Sequence, residues 1–212
     1  MLTNKGSQKE DKMDNSKPIV KFGEWIQGGL SLYRDNFVVL VLANLIATIL
    51  SAVTLGILSG PMLAGIIIIV LAIIDKKDPK PEIGDIFKGF EYFLDAFLFV
   101  IIWGAVSIAV TLLLNLIPCA GQVLSVFVSI FISAMVMFGL FMIVDRKMAF
   151  WPASLASINM VKTNFFPFAG LMIVAMALGY VGALACGIGI IITMPIATCI
   201  IALAYRDLFG KP

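Results

Sequence analysis

The chain has 212 residues, 61% of them hydrophobic and 13% charged, with a formal net charge of +2 and a mean hydropathy of +1.06. Soluble domains carry about 45–50% apolar and 25% charged residues, so composition alone excludes an ordinary soluble domain and points to the membrane. There is no histidine, which removes the commonest general base, proton shuttle and zinc ligand.

Residues 1–17 mix Lys5, Lys9, Lys12 and Lys17 with Glu10, Asp11 and Asp14. They can bury almost nothing and read as a disordered polar tail. They also lack the apolar core of a cleavable signal peptide, so the first crossing is expected to direct its own insertion. From Pro18 to Asp35, Ile19, Phe22, Trp25, Ile26, Leu30 and Tyr33 recur at three- and four-residue spacing, with Lys21, Glu24, Gln27, Ser31 and Arg34 opposite. That spacing predicts an amphipathic helix lying flat at the interface, with Trp25 and Tyr33 facing lipid at headgroup level and Lys21 and Arg34 beside anionic headgroups.

Asn36 to Ile74 is a run of 39 residues without Asp, Glu, Lys or Arg. One helix of that length would measure about 58 Å, roughly twice the hydrocarbon thickness of a bilayer, so the run must cross twice. The break falls at Thr54–Pro61, where two glycines, a serine and a proline oppose a continuous helix. A charged loop, Asp75–Pro81, follows. Ile83 to Phe97 repeats the amphipathic design, with Ile83, Ile86, Phe87, Phe90, Phe93, Leu94 and Phe97 on one face and Asp85, Lys88, Glu91 and Asp95 on the other.

A second uncharged run of 49 residues lies between Asp95 and Asp145, broken at Ile117–Gly121. Phe150–Asn164 is a weaker amphipath and is expected to be the most buried of the three. A third run of 43 residues, between Lys162 and Arg206, breaks near Cys186–Gly189. The expected fold is therefore an all-α membrane protein with six transmembrane helices. They form three helical hairpins, each preceded by an amphipathic interfacial helix, in one membrane domain over residues 18–210. The repeat units are about 18–75, 82–145 and 150–206. All 15 Lys and Arg lie outside the three turns. The positive-inside rule then puts both termini and all three amphipathic helices in the cytoplasm.

Polar residues inside the crossings form two stripes, Asn44, Thr48 and Ser51 on one face and Ser125, Ser129 and Ser133 on another, with Asn115 near the second turn. They can line a polar path or serve as small-residue packing faces, and the lack of any ionisable group among them favours packing. Asp95 opens the longest uncharged run and reads either as an ionisable interfacial site or as a helix N-cap. Similar residues before the other crossings favour the cap. Cys119 and Cys186 both sit at far-side turns, where a disulfide between hairpins is one reading. No Ser–His, Cys–His or metal constellation can be drawn, so no enzyme, cofactor or nucleic-acid partner is expected.

Several features carry a family resemblance: Gly60-Pro61 with Gly65, Gly84-Asp85-Ile86-Phe87-Lys88-Gly89-Phe90, and Phe150-Trp151 with Ala153. Gly187-Ile188-Gly189 with Thr193 and Pro195, and the closing Ala204–Phe209, complete it. Over residues 20–210 the chain resembles the uncharacterised bacterial predicted integral membrane proteins, relatives of the membrane region fused to some glycerophosphodiester phosphodiesterases. The resemblance implies a multi-pass helical protein of a bacterial cytoplasmic membrane and carries no catalytic residues. Two functions are expected from the residues. One is non-enzymatic association with lipid, anionic lipid included, or with partner membrane proteins or further copies at the cytoplasmic leaflet. The other is passage of a small or apolar solute through the centre of the hairpins.

Overall fold

A computed structural model describes residues 21–118, 120–184 and 188–211. The polar tail and the Cys119–Cys186 pairing lie outside the described residues. Among those, the fold is all-helical: α1 (Phe22–Asp35), α2 (Phe37–Val53), α3 (Ser59–Ile74), a 3-10 segment (Ile83–Tyr92), then α4 (Phe93–Asn115), α5 (Ala120–Val136), α6 (Gly139–Arg146), α7 (Phe150–Thr163), α8 (Phe165–Leu184) and α9 (Ile188–Phe209).

Four helical stretches are long and apolar enough to cross a membrane. The count is five if α1 and α2, bent by 88° at Asn36, make one span, and α3 is a shorter apolar helix. The first break is narrower than expected. Leu55 and Gly56 adopt positive φ, and Thr54 Oγ1 accepts the Leu58 N–H at 3.2 Å. Pro61 sits in the first turn of α3, where its missing N–H has no helical partner to lose.

The centre of the protein is α3, buried along most of its length. Glycines allow the 3-10 segment to cross it at backbone contact: a Cβ on Gly65 would overlap the Ile86 carbonyl, and one on Gly89 would overlap the Pro61 carbonyl. Three-residue periodicity also eclipses side chains along the 3-10 segment. Phe87, Phe90 and Phe93 therefore stack at 6.4 and 6.3 Å between centroids, and Phe97 continues the ladder at 5.9 Å.

Each amphipathic segment packs on a helix from another part of the chain. The 3-10 segment lies on α3, α7 lies on α6, and α1 lies on α9. This corrects one expectation. Trp25 and Tyr33 do not face lipid; they are 3% and 8% exposed. Gly29 lets α1 approach the backbone of α9 at Ile200, and Trp25 Nε1 donates to Asp207 at 3.1 Å. Trp25 and Tyr33 of the α1 stripe thus serve protein contact, while Leu30 stays exposed. Lys21 and Arg34 stay exposed. In α7 the buried face is Ala153, Ser154, Ser157 and Val161, four residues against three in α1.

Candidate functional site

The three uncharged runs end at Asp75, Asp145 and Arg206, and the structure brings these residues together at one end of the bundle. Asp75 caps the C-terminus of α3 and Asp145 lies in the last turn of α6. A carboxylate there opposes the negative end of the helix dipole and calls for a compensating cation. Arg206 of α9 supplies it. Its Nη1 and Nη2 donate to the two Asp145 oxygens at 2.7 Å each, and Nη2 also donates to Asp75 at 2.8 Å. Tyr205 OH donates to Asp145 at 2.9 Å. The side chains of Arg206, Asp75 and Asp145 are 9%, 8% and 6% exposed. A buried cluster of this kind ties helices together by geometry more than by net energy.

Around it lies a basin of about 470 Å³. Lys77, Lys88, Lys147 and Lys211 line it with Arg206, against Asp75, Glu91 and Asp145. Five basic groups face three acidic ones, so the lining is net positive. Lys88 is paired with Asp85 at 2.7 Å and Lys211 approaches Asp75 at 3.7 Å. The exposed Phe87, Phe90 and Phe93 edge sits on the same segment as Lys88. Sequence reasoning missed this cluster, although its signal was present: each uncharged run stops on one of the three residues.

The residues expected to form a polar path are dispersed instead. Asn44 is buried, and its Nδ2 donates to the Ile191 carbonyl at 3.0 Å. That carbonyl is four residues before Pro195, which lies inside α9 and has no N–H to offer it. Asn44 therefore fills a vacancy that proline creates, a necessary repair where no water reaches. Thr48 turns back to the Asn44 carbonyl at 2.8 Å. Ser51 is half-buried, and Asn115 is exposed at the end of α4. The cavity lined by Ser125 and Ser129 includes neither Asn44 nor Asn115 among its described lining residues.

Asp95 does not cap its own helix, nor does it stand as a lone ionisable group. Its Oδ1 accepts the N–H of Phe150, the first residue of α7, at 3.0 Å. That amide is one of the orphan donors of a helix start, and the negative charge suits the positive helix end. Two residues missed in the sequence complete the anchoring of α7. Ser154 accepts Trp103 Nε1 at 2.9 Å. Ser157 donates to the Met135 carbonyl at 2.8 Å and accepts the Phe138 N–H at 3.2 Å, satisfying both sides of the break between α5 and α6. Their signal was a Ser at 154 and at 157 beside the Ala153–Ser157–Val161 stripe.

Ser125 and Ser129 do line a cavity, of about 590 Å³, but it lies between α5 and α8 with Thr111 of α4, away from the buried centre. Ser133 is half-buried outside it. No family model, curated protein or solved structure matches the chain.

Proposed function

We propose that this is a non-enzymatic, six-crossing protein of a bacterial cytoplasmic membrane, threaded as three hairpins with both termini in the cytoplasm. It gathers anionic lipid, and partner membrane proteins through that lipid, at its cytoplasmic face. The reading rests on the lysine-lined basin around Arg206, flanked by the exposed phenylalanine ladder. Basic side chains beside a membrane attract anionic headgroups by about 1 kcal/mol each, and exposed aromatics favour the interface. The cyclic packing of the three amphipathic segments, each on a helix of another unit, supports the three-unit reading.

Passage of a solute through the middle of the hairpins has less support. Tyr205 packs there against Phe138 and Phe141, with centroids 6.2 and 5.4 Å apart, and all three are buried.

The test is lipid retention in nanodiscs of phosphatidylcholine with or without phosphatidylglycerol, read by native mass spectrometry. The wild type should retain phosphatidylglycerol preferentially. Replacing Lys77, Lys147 and Lys211 by Gln should cut that preference by about tenfold or more. Equal retention of both lipids by the wild type would overturn the reading. Labelling of Ser59→Cys and Lys77→Cys from the same side of the membrane would overturn the threading.

A further inference from the structure

The cavity between α5 and α8 presents a problem that the rest of the fold does not solve. Thr111, Ser125, Ser129 and Tyr180 bring four hydroxyls to it, among Val126, Ile130, Ile173 and Met176. Ser125 donates to the Gln122 carbonyl at 2.8 Å. Among the described residues, Thr111, Ser129 and Tyr180 form no side-chain hydrogen bond.

Ser129 lies nine residues into α5, about 14 Å from its start at 1.5 Å per residue. Thr111 and Tyr180 each lie four residues before the end of their helix. The hydroxyls thus run from the end of the bundle opposite Arg206 down into the apolar layer. An unpaired hydroxyl there is costly, so the cavity calls for a guest that is apolar along most of its length and accepts hydrogen bonds near the surface.

We infer that this groove binds one membrane glycerolipid from the leaflet opposite the charged end. An acyl chain lies between α5 and α8, and the ester oxygens accept from Tyr180, Thr111 and Ser129. Three observations favour a lipid over a second copy of the chain. Eleven residues line the cavity, whereas a stable protein interface engages about 20–30 residues a side. Its volume falls within the roughly 300–1,000 Å³ of small-molecule sites. Its walls belong to helices open to lipid, with only 6% of the α4 window and 17% of the α8 window buried.

The experiment uses the full chain in phosphatidylcholine nanodiscs doped with a phosphatidylcholine bearing a diazirine in one acyl chain. Because the probe is neutral, the outcome is independent of the basin at the other end. After illumination, label should concentrate on α5 and α8. Ala177→Trp, which fills the groove, should lower that label about fivefold, while Leu112→Trp on the exposed side of α4 should leave it unchanged. Ala177→Ser, a small change at the same position, should label like the wild type and shows that position 177 tolerates substitution. Removing the hydroxyls with Thr111→Val and Ser129→Ala should lower the label to a smaller extent. Label spread evenly over the lipid-exposed helices, or unmoved by Ala177→Trp, would overturn the inference. So would conversion of a dimer to a monomer by Ala177→Trp, since a second copy would then occupy the groove.

Discussion

At the charged end, side chains from three distant stretches meet around Arg206 at 2.7–2.8 Å. At the opposite end, α4, α5 and α8 stand around a groove where, among the described residues, the hydroxyls of Thr111, Ser129 and Tyr180 find no protein partner. One end is held mainly by the chain's own polar groups, with Asp75 Oδ1 and Arg206 Nε left without a hydrogen bond among the described residues; the other waits for something outside it. The difference teaches that polarity in this membrane protein has two uses. Groups paired within the fold hold helices in register; groups left unpaired at a cavity mark where a ligand belongs.

Substitutions at the closed end should break the fold, and Arg206→Met should do most. It leaves Asp75 and Asp145 buried without their cation, for a cost of about 3–5 kcal/mol. Thermal unfolding in detergent should show a large drop in midpoint. Adding Asp75→Asn and Asp145→Asn should recover part of it; no recovery would mean that Arg206 acts through packing instead. Ser157→Ala should come next. It orphans the Met135 carbonyl and the Phe138 N–H together, for a loss of about 1–3 kcal/mol, measured in the same way.

Asn44→Leu should cost about 1–2 kcal/mol, in the range of interhelical hydrogen bonds in membranes. A cycle with Pro195→Ala sharpens this. Restoring the N–H lets Ile191 bond within its own helix, so the cost of Asn44→Leu should shrink in that background. An unchanged cost would separate Asn44 from the proline. Smallest of all, Lys88→Gln on the 3-10 segment should leave thermal stability unchanged, because Lys88 itself is exposed in its pair with Asp85. A clear loss there would mean that the basin is a structural element.

Much of the helix order was legible, because uncharged runs and Gly/Pro breaks report directly on what lipid tolerates. The breaks expected at Thr54–Pro61 and Ile117–Gly121 each span a helix boundary, although Ser59–Pro61 already belong to α3 and Ala120–Gly121 to α5. What apolar periodicity could not decide was the environment of each face. Around α1, lipid and protein are equally apolar, so Trp25 and Tyr33 satisfy the same pattern whether they meet one or the other. The role of Asn44 was hidden for a different reason: its partner is 147 residues away. The readable clue was Pro195 within an uncharged run, since such a proline leaves a carbonyl in need of a donor. Asp95 shows the same lesson, with the right chemistry expected but on the wrong helix. The groove at Ser125 and Ser129 was half visible as a stripe, while Tyr180 and Thr111 could join it only once the helices were placed.

The pairing of Asn44, Asp75 and Asp145 with atoms of α9 has a consequence for biogenesis. Ribosomes make α9 after the helices it pairs with, so a nascent chain holds Asn44 in the apolar layer, and Asp75 and Asp145 at the charged helix ends, unmatched until α9 emerges. Insertion of that segment is the moment at which the product stops resembling a substrate for membrane quality control. A chain released after residue 184 should therefore be degraded quickly, although most of its apolar sequence is already in place.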